Sequence, residues 1–393
     1  MSFENQEPLL TDVCIVGAGP AGAATSIRLS QLKIPHTIID KAVFPRDKTC
    51  GDGLILYAYK ALKTLDEDLF QAFLEHPKIL HSKSIKLHIN NDHYINFKET
   101  EDRDSIISYA KRIDFDNFLV ENLNKKYANT IFGDEVKKII HTENGVAITL
   151  KSGQSIQSKL VVGADGIQSV VSRKLAKNKI PKDQMSTFIN AYYSGADILS
   201  EDLEAEIRVH YQKMPLFFYV FPLSDGMVNV SLGGNASDIQ KHNINLKEEL
   251  ETILARHPKV KDRFVNSKRE GNWRGWGIPY HFFNQKVSGN CFLLVGDAAG
   301  LANAFYKEGV GTGMMSGIIC ANKVKECLDQ NDFSESFLKD YKLRLDNEFG
   351  KLLKFSKRSL RLAYRRKIFS FFTKLFKPYV ERKTPELVKK RSY

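Results

Sequence analysis

The stretch Asp12-Val-Cys-Ile-Val-Gly-Ala-Gly-Pro-Ala-Gly22 sets Gly17, Gly19 and Gly22 between an apolar, strand-like run and a helix-forming one. Such a turn can hold a pyrophosphate. Gly17 permits the tight turn, Gly19 lets the backbone approach the phosphates, and Gly22 lets the helix pack closely on the strand. Pro20 and Ala21 belong to the same turn. The helix start then faces the anion with unpaired N–H groups and the positive end of its dipole. A second strand, His36-Thr-Ile-Ile-Asp40, ends in a carboxylate 23 positions after Gly17, followed by Lys41. A ribose-binding acid belongs at that place. Strand, glycines, helix and acid together point to a dinucleotide site. The Asp favours an unphosphorylated ribose, as in FAD or NAD, over NADP.

The elements that position this site are spread along the chain. Phe44-Pro-Arg-Asp-Lys-Thr-Cys-Gly-Asp-Gly53 is rich in glycine and turn residues and reads as a loop. Residues 76–105 read as strands. A helix starting near Arg112 carries Phe115, Phe118, Leu119 and Leu123 at helical spacing. Strands return over 130–165, with Asn144-Gly145 as a hairpin turn. The last of them runs into Ala164, Asp165 and Gly166. Residues 185–285 alternate and are rich in aromatics, as in Phe217-Phe-Tyr-Val-Phe-Pro222, which predicts a mostly antiparallel second sheet. Cys291-Phe-Leu-Leu-Val-Gly-Asp297 is another buried strand ending in a loop, and Glu308-Gly-Val-Gly-Thr-Gly313 opens a helix. Residues 335–393 are helical and basic, and no internal repeat is present.

A chain of 393 residues predicts two or three structural units. Hydrophobic residues at 42% and charged residues at 26% are ordinary for a soluble globular protein. The polar start Met-Ser-Phe-Glu-Asn-Gln-Glu is no signal peptide, and no run of about 18 apolar residues predicts a membrane span. Cys14, Cys50, Cys291, Cys320 and Cys327 form no CxxC pair and no metal-ligand spacing, so no metal is expected. The scattered set fits a reducing cytoplasm. Cys14 and Cys291 lie in apolar runs and are expected in the core. Of the net charge of +12, residues 351–393 hold fifteen Lys/Arg against two Glu, so the remainder is close to neutral.

Three separated motifs coincide: the N-terminal fingerprint, Ala164-Asp165-Gly166, and Gly296-Asp297-Ala298-Ala299-Gly300. In that order and spacing they resemble FAD-dependent oxidoreductases of the aromatic-hydroxylase type, over nearly the whole chain. Within that group the chain is most similar to the geranylgeranyl reductase family. The loop from Phe44 to Gly53 resembles that family's Pro-Arg/Lys…Cys-Gly loop over the flavin. Arg112-Ile-Asp-Phe115-Asp116 resembles its Arg-x-x-Phe-Asp segment. At 217–222 the family has Tyr-x-Trp-x-Phe-Pro; here Phe217 and Tyr219 replace the first two aromatics, while Phe221 and Pro222 match. Its Pro-Phe-x-x-Glu-Gly-Ile/Val-Gly segment reads Asn303-Ala-Phe-Tyr-Lys-Glu-Gly-Val-Gly311 here.

The resemblance implies an α/β fold with FAD as cofactor. A split Rossmann-type FAD-binding domain (10–75, 106–175 and 286–330) would carry an inserted antiparallel-sheet substrate domain (76–105 and 176–285) and a basic helical C-terminal region (331–393). Asp297 can hold the ribityl chain. The helix start at Gly309, Val310 and Gly311 can point N–H groups at the flavin N1/C2=O edge. Arg46, Cys50 and Gly51 lie on the loop over the flavin, Arg112 contacts the flavin or its linker, and Asp165-Gly166 orders the adjoining loop. Cys50 becomes the catalytic candidate, because a hydride added to an alkene needs a proton at the other carbon. Arg46 and Lys48 nearby would lower a thiol pKa. The plain reading of a lone cysteine is a small buried residue. Phe217, Tyr219, Phe221 and Pro222, with Tyr192 and Tyr193, can line an apolar tunnel or simply be core.

The expected function is reduction of carbon–carbon double bonds in a polyprenyl lipid by reduced FAD. The rivals are a flavin-dependent monooxygenase (hydroxylase or epoxidase) on an apolar substrate, a flavin halogenase, and a non-catalytic lipid-binding flavoprotein. The halogenase pattern Trp-x-Trp-x-Ile-Pro is absent. A second glycine fingerprint is also absent, so electrons would come from an external donor: NAD(P)H, a ferredoxin or a flavin reductase. From Ile368 onward, Phe371, Phe372, Leu375, Phe376 and Tyr379 fall on one helical face, opposite Lys367, Lys374 and Lys377, with Arg366 at the edge. Such a helix can lie on an anionic membrane, or pack its apolar face on the body. The expected location is cytoplasmic, with a peripheral position on the inner membrane face as the alternative. Nucleic acid is not an expected partner.

Overall fold

The computed structural model describes residues 7–82, 84–91, 93–98, 107–197 and 205–389. The end of the first strand, Val13 to Val16, is buried on both faces, as a parallel strand covered by helices must be. Leu9–Val16 pairs in parallel with Ser155–Gly163 on one side and His36–Asp40 on the other. The crossover between Leu9–Val16 and His36–Asp40 contains the helix Pro20–Gln31, which begins on proline. The sheet runs Ser288–Gly289, Phe292–Leu294, Ser155–Gly163, Leu9–Val16, His36–Asp40, Ala128–Phe132. Val136–Thr142 and Gly145–Leu150 form the expected hairpin, with Glu143 and Asn144 in the turn itself. Cys14 and Cys291 are buried, as expected.

The second sheet runs Lys268–Pro279, Met185–Ser194, Val228–Asn235, Pro215–Pro222, Ala205–Tyr211, Ser84–His88, Tyr94–Lys98. Its neighbours are antiparallel except for Ala205–Tyr211 with Ser84–His88. Every residue of Pro215–Pro222 is buried, so both faces are covered. Phe218 and Val220 face a core shared with the helix Leu246–Arg256. Phe217, Tyr219 and Phe221 face the other way, into a core with Phe188 and Phe305. Tyr192 goes with the second group and Tyr193 with the first. A small third sheet joins Gly53–Ile55, Ile107–Tyr109 and Leu80–Ser82. Residues 99–105, within the strand-like region of the sequence, lie outside the described residues.

Helix Val310–Gln330 lies against Pro20–Gln31 through glycine: a Cβ on Gly317 would stand 2.5 Å from the Ala21 carbonyl oxygen. Helix Tyr341–Ala363 buries Leu345, Phe349, Leu353 and Leu360. The last helix, Arg366–Lys389, rests on the edge strand Tyr94–Lys98. It departs from one reading of the sequence: its apolar face does not pack on the body, since Phe371, Leu375 and Tyr379 are exposed, and among its described side chains only Phe369 is buried. Lys377 instead turns to the body, over the Tyr94 ring.

Gly22 fixes how closely the first helix meets its turn. A Cβ there would lie 1.8 Å from the Gly17 carbonyl oxygen, and a backbone atom cannot swing aside. Gly22→Ala is therefore expected to destabilise the protein by about 2 kcal/mol or more, within the range of overpacked sites. Thermal unfolding checks this, and an unchanged midpoint would contradict it.

Candidate active site

A continuous cleft of about 1860 Å³ is lined by both large sheets and by the loop from Arg46 to Gly53. Its walls on the parallel-sheet side include Gly17, Gly19, Pro20, Ala21, Asp40, Lys41, Asp165, Gly166, Gly296, Asp297, Gly309 and Val310. Arg46, Cys50, Gly51 and Arg112 join them, and Tyr219 and Phe221 stand on the opposite side. Six sequence candidates are not in the wall: Gly22, Gly311, Tyr192, Tyr193, Phe217 and Pro222. Gly22 and Gly311 serve close packing; a Cβ on Gly311 would meet the Ala58 backbone nitrogen at 2.3 Å. Phe217 packs edge-on against Phe305 with centroids 5.4 Å apart. Pro222 is buried at the end of its strand. Tyr193 packs away from the cleft, against Trp273 and Phe264.

The parallel-sheet side fits FAD. Gly17 adopts φ +103°, and a Cβ there would meet the Ala164 carbonyl oxygen at 2.4 Å. A Cβ on Gly19 would have only an Arg46 guanidinium nitrogen near it, at 3.4 Å, so this backbone face is open to an approaching phosphate. The Asp40 carboxylate accepts from the Ala18 and Ala42 N–H groups at 2.8 and 2.9 Å. Each oxygen keeps a further lone pair for a ribose hydroxyl. Asp165 accepts from the Val170 N–H at 2.6 Å, which orders the loop after its strand. The helix start at 309–313 is partly capped from within: the Gly311 N–H donates to Glu308 at 2.5 Å. The Gly309 and Val310 ends remain in the cleft wall.

The loop over the cleft is pinned from several directions. Asp116, fully buried, accepts from Arg112 at 2.6 and 2.7 Å and pairs with Arg46 at 3.0 Å. Asp47 pairs with Arg274 of the second sheet. The Cys50 carbonyl accepts from Asn190 and Asn229 side chains at 2.9 and 2.8 Å. Burial opposes the Arg112 charge, but the Asp116 carboxylate more than compensates and raises its pKa. The Arg112 charge also acts on the Cys50 thiol. The expectation that cations make this thiol acidic is corrected by its surroundings. Cys50 stands in the wall of an open cleft, yet protein crowds it so that burial dominates and raises its pKa; Arg112 and Lys48 pull the other way less strongly. Cys50 is thus a neutral thiol that holds its proton. Asp297 is likewise raised by burial, against Lys48 and Arg112.

Asp52 escaped the sequence reading. It is 1% exposed and left-handed at φ +65°. One carboxyl oxygen accepts from Tyr192 Oη at 2.9 Å and Asn229 Nδ2 at 2.7 Å. The other is buried without a partner among the described residues. Burial pushes its pKa up to about 7, against those two hydrogen bonds. Between two glycines it reads as a turn residue, and its partners lie 140 and 177 positions away. Glu308 is also raised to about 7 by burial, and Lys307 is lowered to about 7 by the same cause. Lys307 donates to Ser186 Oγ at 2.9 Å and lies over the rings of Phe217 and Tyr280.

A dinucleotide fold whose glycine cradle, acid and flavin-side loop share one cleft with an apolar sheet defines an FAD-dependent oxidoreductase. The chain belongs to the family described as FAD binding domain, which matches residues 10–344. Over 340 residues it is 24% identical to the menaquinone reductase of Mycobacterium tuberculosis, covering 82% of this chain and 78% of that protein. Over 353 residues it is 24% identical to digeranylgeranylglycerophospholipid reductase 2 of Methanopyrus kandleri, covering 88% and 84%. A solved geranylgeranyl bacteriochlorophyll reductase-like protein from Thermoplasma acidophilum has the same fold, with TM-score 0.80, 19% identity, and 92% and 90% of the two chains covered. The flavin-dependent brominase Bmp2 shares the fold too, with TM-score 0.74, 19% identity, and 98% and 93% covered.

Removing the shared carboxylate would leave Arg112 buried and unpaired. Asp116→Ala is expected to cost about 3–5 kcal/mol of stability. Urea unfolding measures the loss; a loss under about 1 kcal/mol would show the clamp to be dispensable.

Proposed function

We propose that this protein reduces carbon–carbon double bonds in the polyprenyl chain of a lipid. The observation that carries the reading is one cleft in which an apolar wall, Tyr219 and Phe221 among it, meets two proton-bearing groups, the neutral thiol of Cys50 and the buried carboxyl of Asp52, raised to about 7. Bound FAD, once reduced, supplies the hydride. Gly17, Gly19, Pro20 and Ala21 would hold its pyrophosphate, Asp40 with Lys41 its ribose, and Asp297 with Gly296 its ribityl chain. Gly309 and Val310 would offer their N–H groups to the flavin, and Asp165-Gly166 shape the neighbouring loop. Tyr219 and Phe221 hold the prenyl chain out of water. Cys50 gives its proton to the carbon that does not take the hydride. Asp52, two residues on, returns a proton to the thiolate, with Tyr192 and Asn229 fixing its carboxyl. Arg112 steadies the transient thiolate charge.

Electrons come from outside the chain, from NAD(P)H, a ferredoxin or a flavin reductase. The reading also takes an anionic membrane surface as partner of the basic tail, on the inner face of a cytoplasmic membrane. The reductase names of two relatives support it over the monooxygenase and halogenase rivals.

Mixing the reduced holoenzyme with a geranylgeranyl lipid in detergent, without oxygen, is expected to reoxidise the flavin and yield the saturated chain. Flavin that reoxidises only when air is admitted, with an oxygenated or halogenated product, would sink the reading. Cys50→Ala is expected to slow the anaerobic step by about a hundredfold, the lower end of general-acid effects. The Asp52 store is full below its pKa of about 7 and empties above it. The rate should therefore fall as pH rises through about 7, and Asp52→Asn should be slow and lack that limb. An Asp52→Asn profile with the wild-type limb would remove this residue from the proton path.

A further inference from the structure

The tail helix Arg366–Lys389 is mounted with its polar side inward. Ser370 Oγ accepts from Asn90 Nδ2 at 3.3 Å, and Thr373 Oγ1 meets His93 Nε2 at 3.2 Å. Glu381 accepts from the Asn96 N–H at 2.8 Å. The outward side carries Phe371, Leu375, Phe376 and Tyr379 at 63, 59, 48 and 54% exposure. Phe372 stacks on Phe376 with the rings 5° from parallel. A surface helix normally shows the opposite arrangement. A contiguous apolar patch of this kind marks an interaction surface.

Charge selects the occupant. Lys367, Lys374 and Arg382 are exposed along the patch, in a region with fifteen Lys/Arg and two Glu over 351–393. A second copy of the chain, meeting it about a twofold axis, would set this positive rim against itself. An anionic bilayer accepts both the aromatic side chains and the cations. The same helix turns Phe369 and Thr373 into the cleft wall, and helix Tyr341–Ala363 adds Leu352 and Phe355. Phe355 is 62% exposed, so the wall continues to the surface there.

We propose that the outward face of the tail helix seats the protein on an anionic bilayer, and that the cleft takes up its prenyl chain from that bilayer between the last two helices. The identity of the chain taken up rests on the reductase reading; the seating does not.

The holoenzyme is floated with vesicles of phosphatidylcholine alone or mixed with phosphatidylglycerol. It is expected to float with the mixed vesicles and to be released by salt. Lys367→Glu with Lys374→Glu should bind about thirtyfold more weakly or worse. Phe371→Ser with Leu375→Ser should lose flotation while keeping bound FAD and the wild-type unfolding temperature. That double variant should also oxidise normally with the lipid in detergent and slowly with the lipid in vesicles. Flotation equal to wild type in both double variants would overturn the seating. So would a wild-type protein that ignores vesicles and self-associates through the same residues in sedimentation. Equal rates for Phe371→Ser with Leu375→Ser in vesicles and detergent would overturn uptake from the bilayer. No oxidation in either medium would overturn the substrate reading and the uptake built on it, and flotation alone would then decide the seating.

Discussion

One fully buried carboxylate, Asp116, is shared by Arg46 and Arg112, and the rest of the site depends on that sharing. A guanidinium at 4% exposure is stable only beside a full negative charge. The clamp keeps Arg112 in the same cleft wall as Cys50, where its charge acts on the thiol, and lets Arg46 stand beside Gly19. The glycine turn, the loop with its thiol and the helix Arg112–Glu121 are thereby held in one frame, although they come from three separate stretches of the chain. The second sheet closes the frame through Arg274 on Asp47 and through Asn190 and Asn229 on the Cys50 carbonyl. A loop tied on both sides keeps a reactive group in place at the junction of two sheets.

Desolvation then sets the proton inventory. Burial is the largest influence on Cys50, Asp52 and Glu308, and each holds its proton more tightly than in water. Burial acts on Lys307 in the opposite direction and weakens its charge. All four move toward neutrality, as groups lining an apolar space must. A cleft that neutralises its own side chains suits an uncharged ligand, and it holds the Cys50 thiol and, below about pH 7, the Asp52 carboxyl protonated. Arg112 keeps its charge because Asp116 holds it.

The nucleotide side was legible because its signals are local. Gly17, Gly19, Gly22 and Asp40 lie within one strand–helix–strand unit, and each has a backbone reason for its type. The strand Phe217 to Pro222 was legible as an element but not as a wall. Alternation says that Phe217, Tyr219 and Phe221 share a face; only the packing of Phe305 takes Phe217 out of the cleft. Asp52 was not legible at all. Its meaning depends on Tyr192 and Asn229, on two strands of the second sheet, and a turn acid between glycines gives no hint of them. The acidity of Cys50 was misjudged for a related reason. Neighbouring cations are visible in sequence, while the protein crowded round a side chain is not.

The tail shows the same limit at the level of a whole helix. Its two faces are plain from spacing, but spacing cannot say which one turns inward. The answer lies in what the helix covers. Tyr94–Lys98 is the edge of the second sheet, and an edge strand presents unpaired N–H groups that need polar partners. Glu381 meets one of them at Asn96, and Thr373 and Ser370 meet the side chains just before the strand. Covering a polar edge draws the polar face in. The aromatic face is left outward as a consequence, and outside water it needs a partner that the described residues of this chain do not provide. A stripe of phenylalanines set among lysines is the form that a bilayer interface accepts.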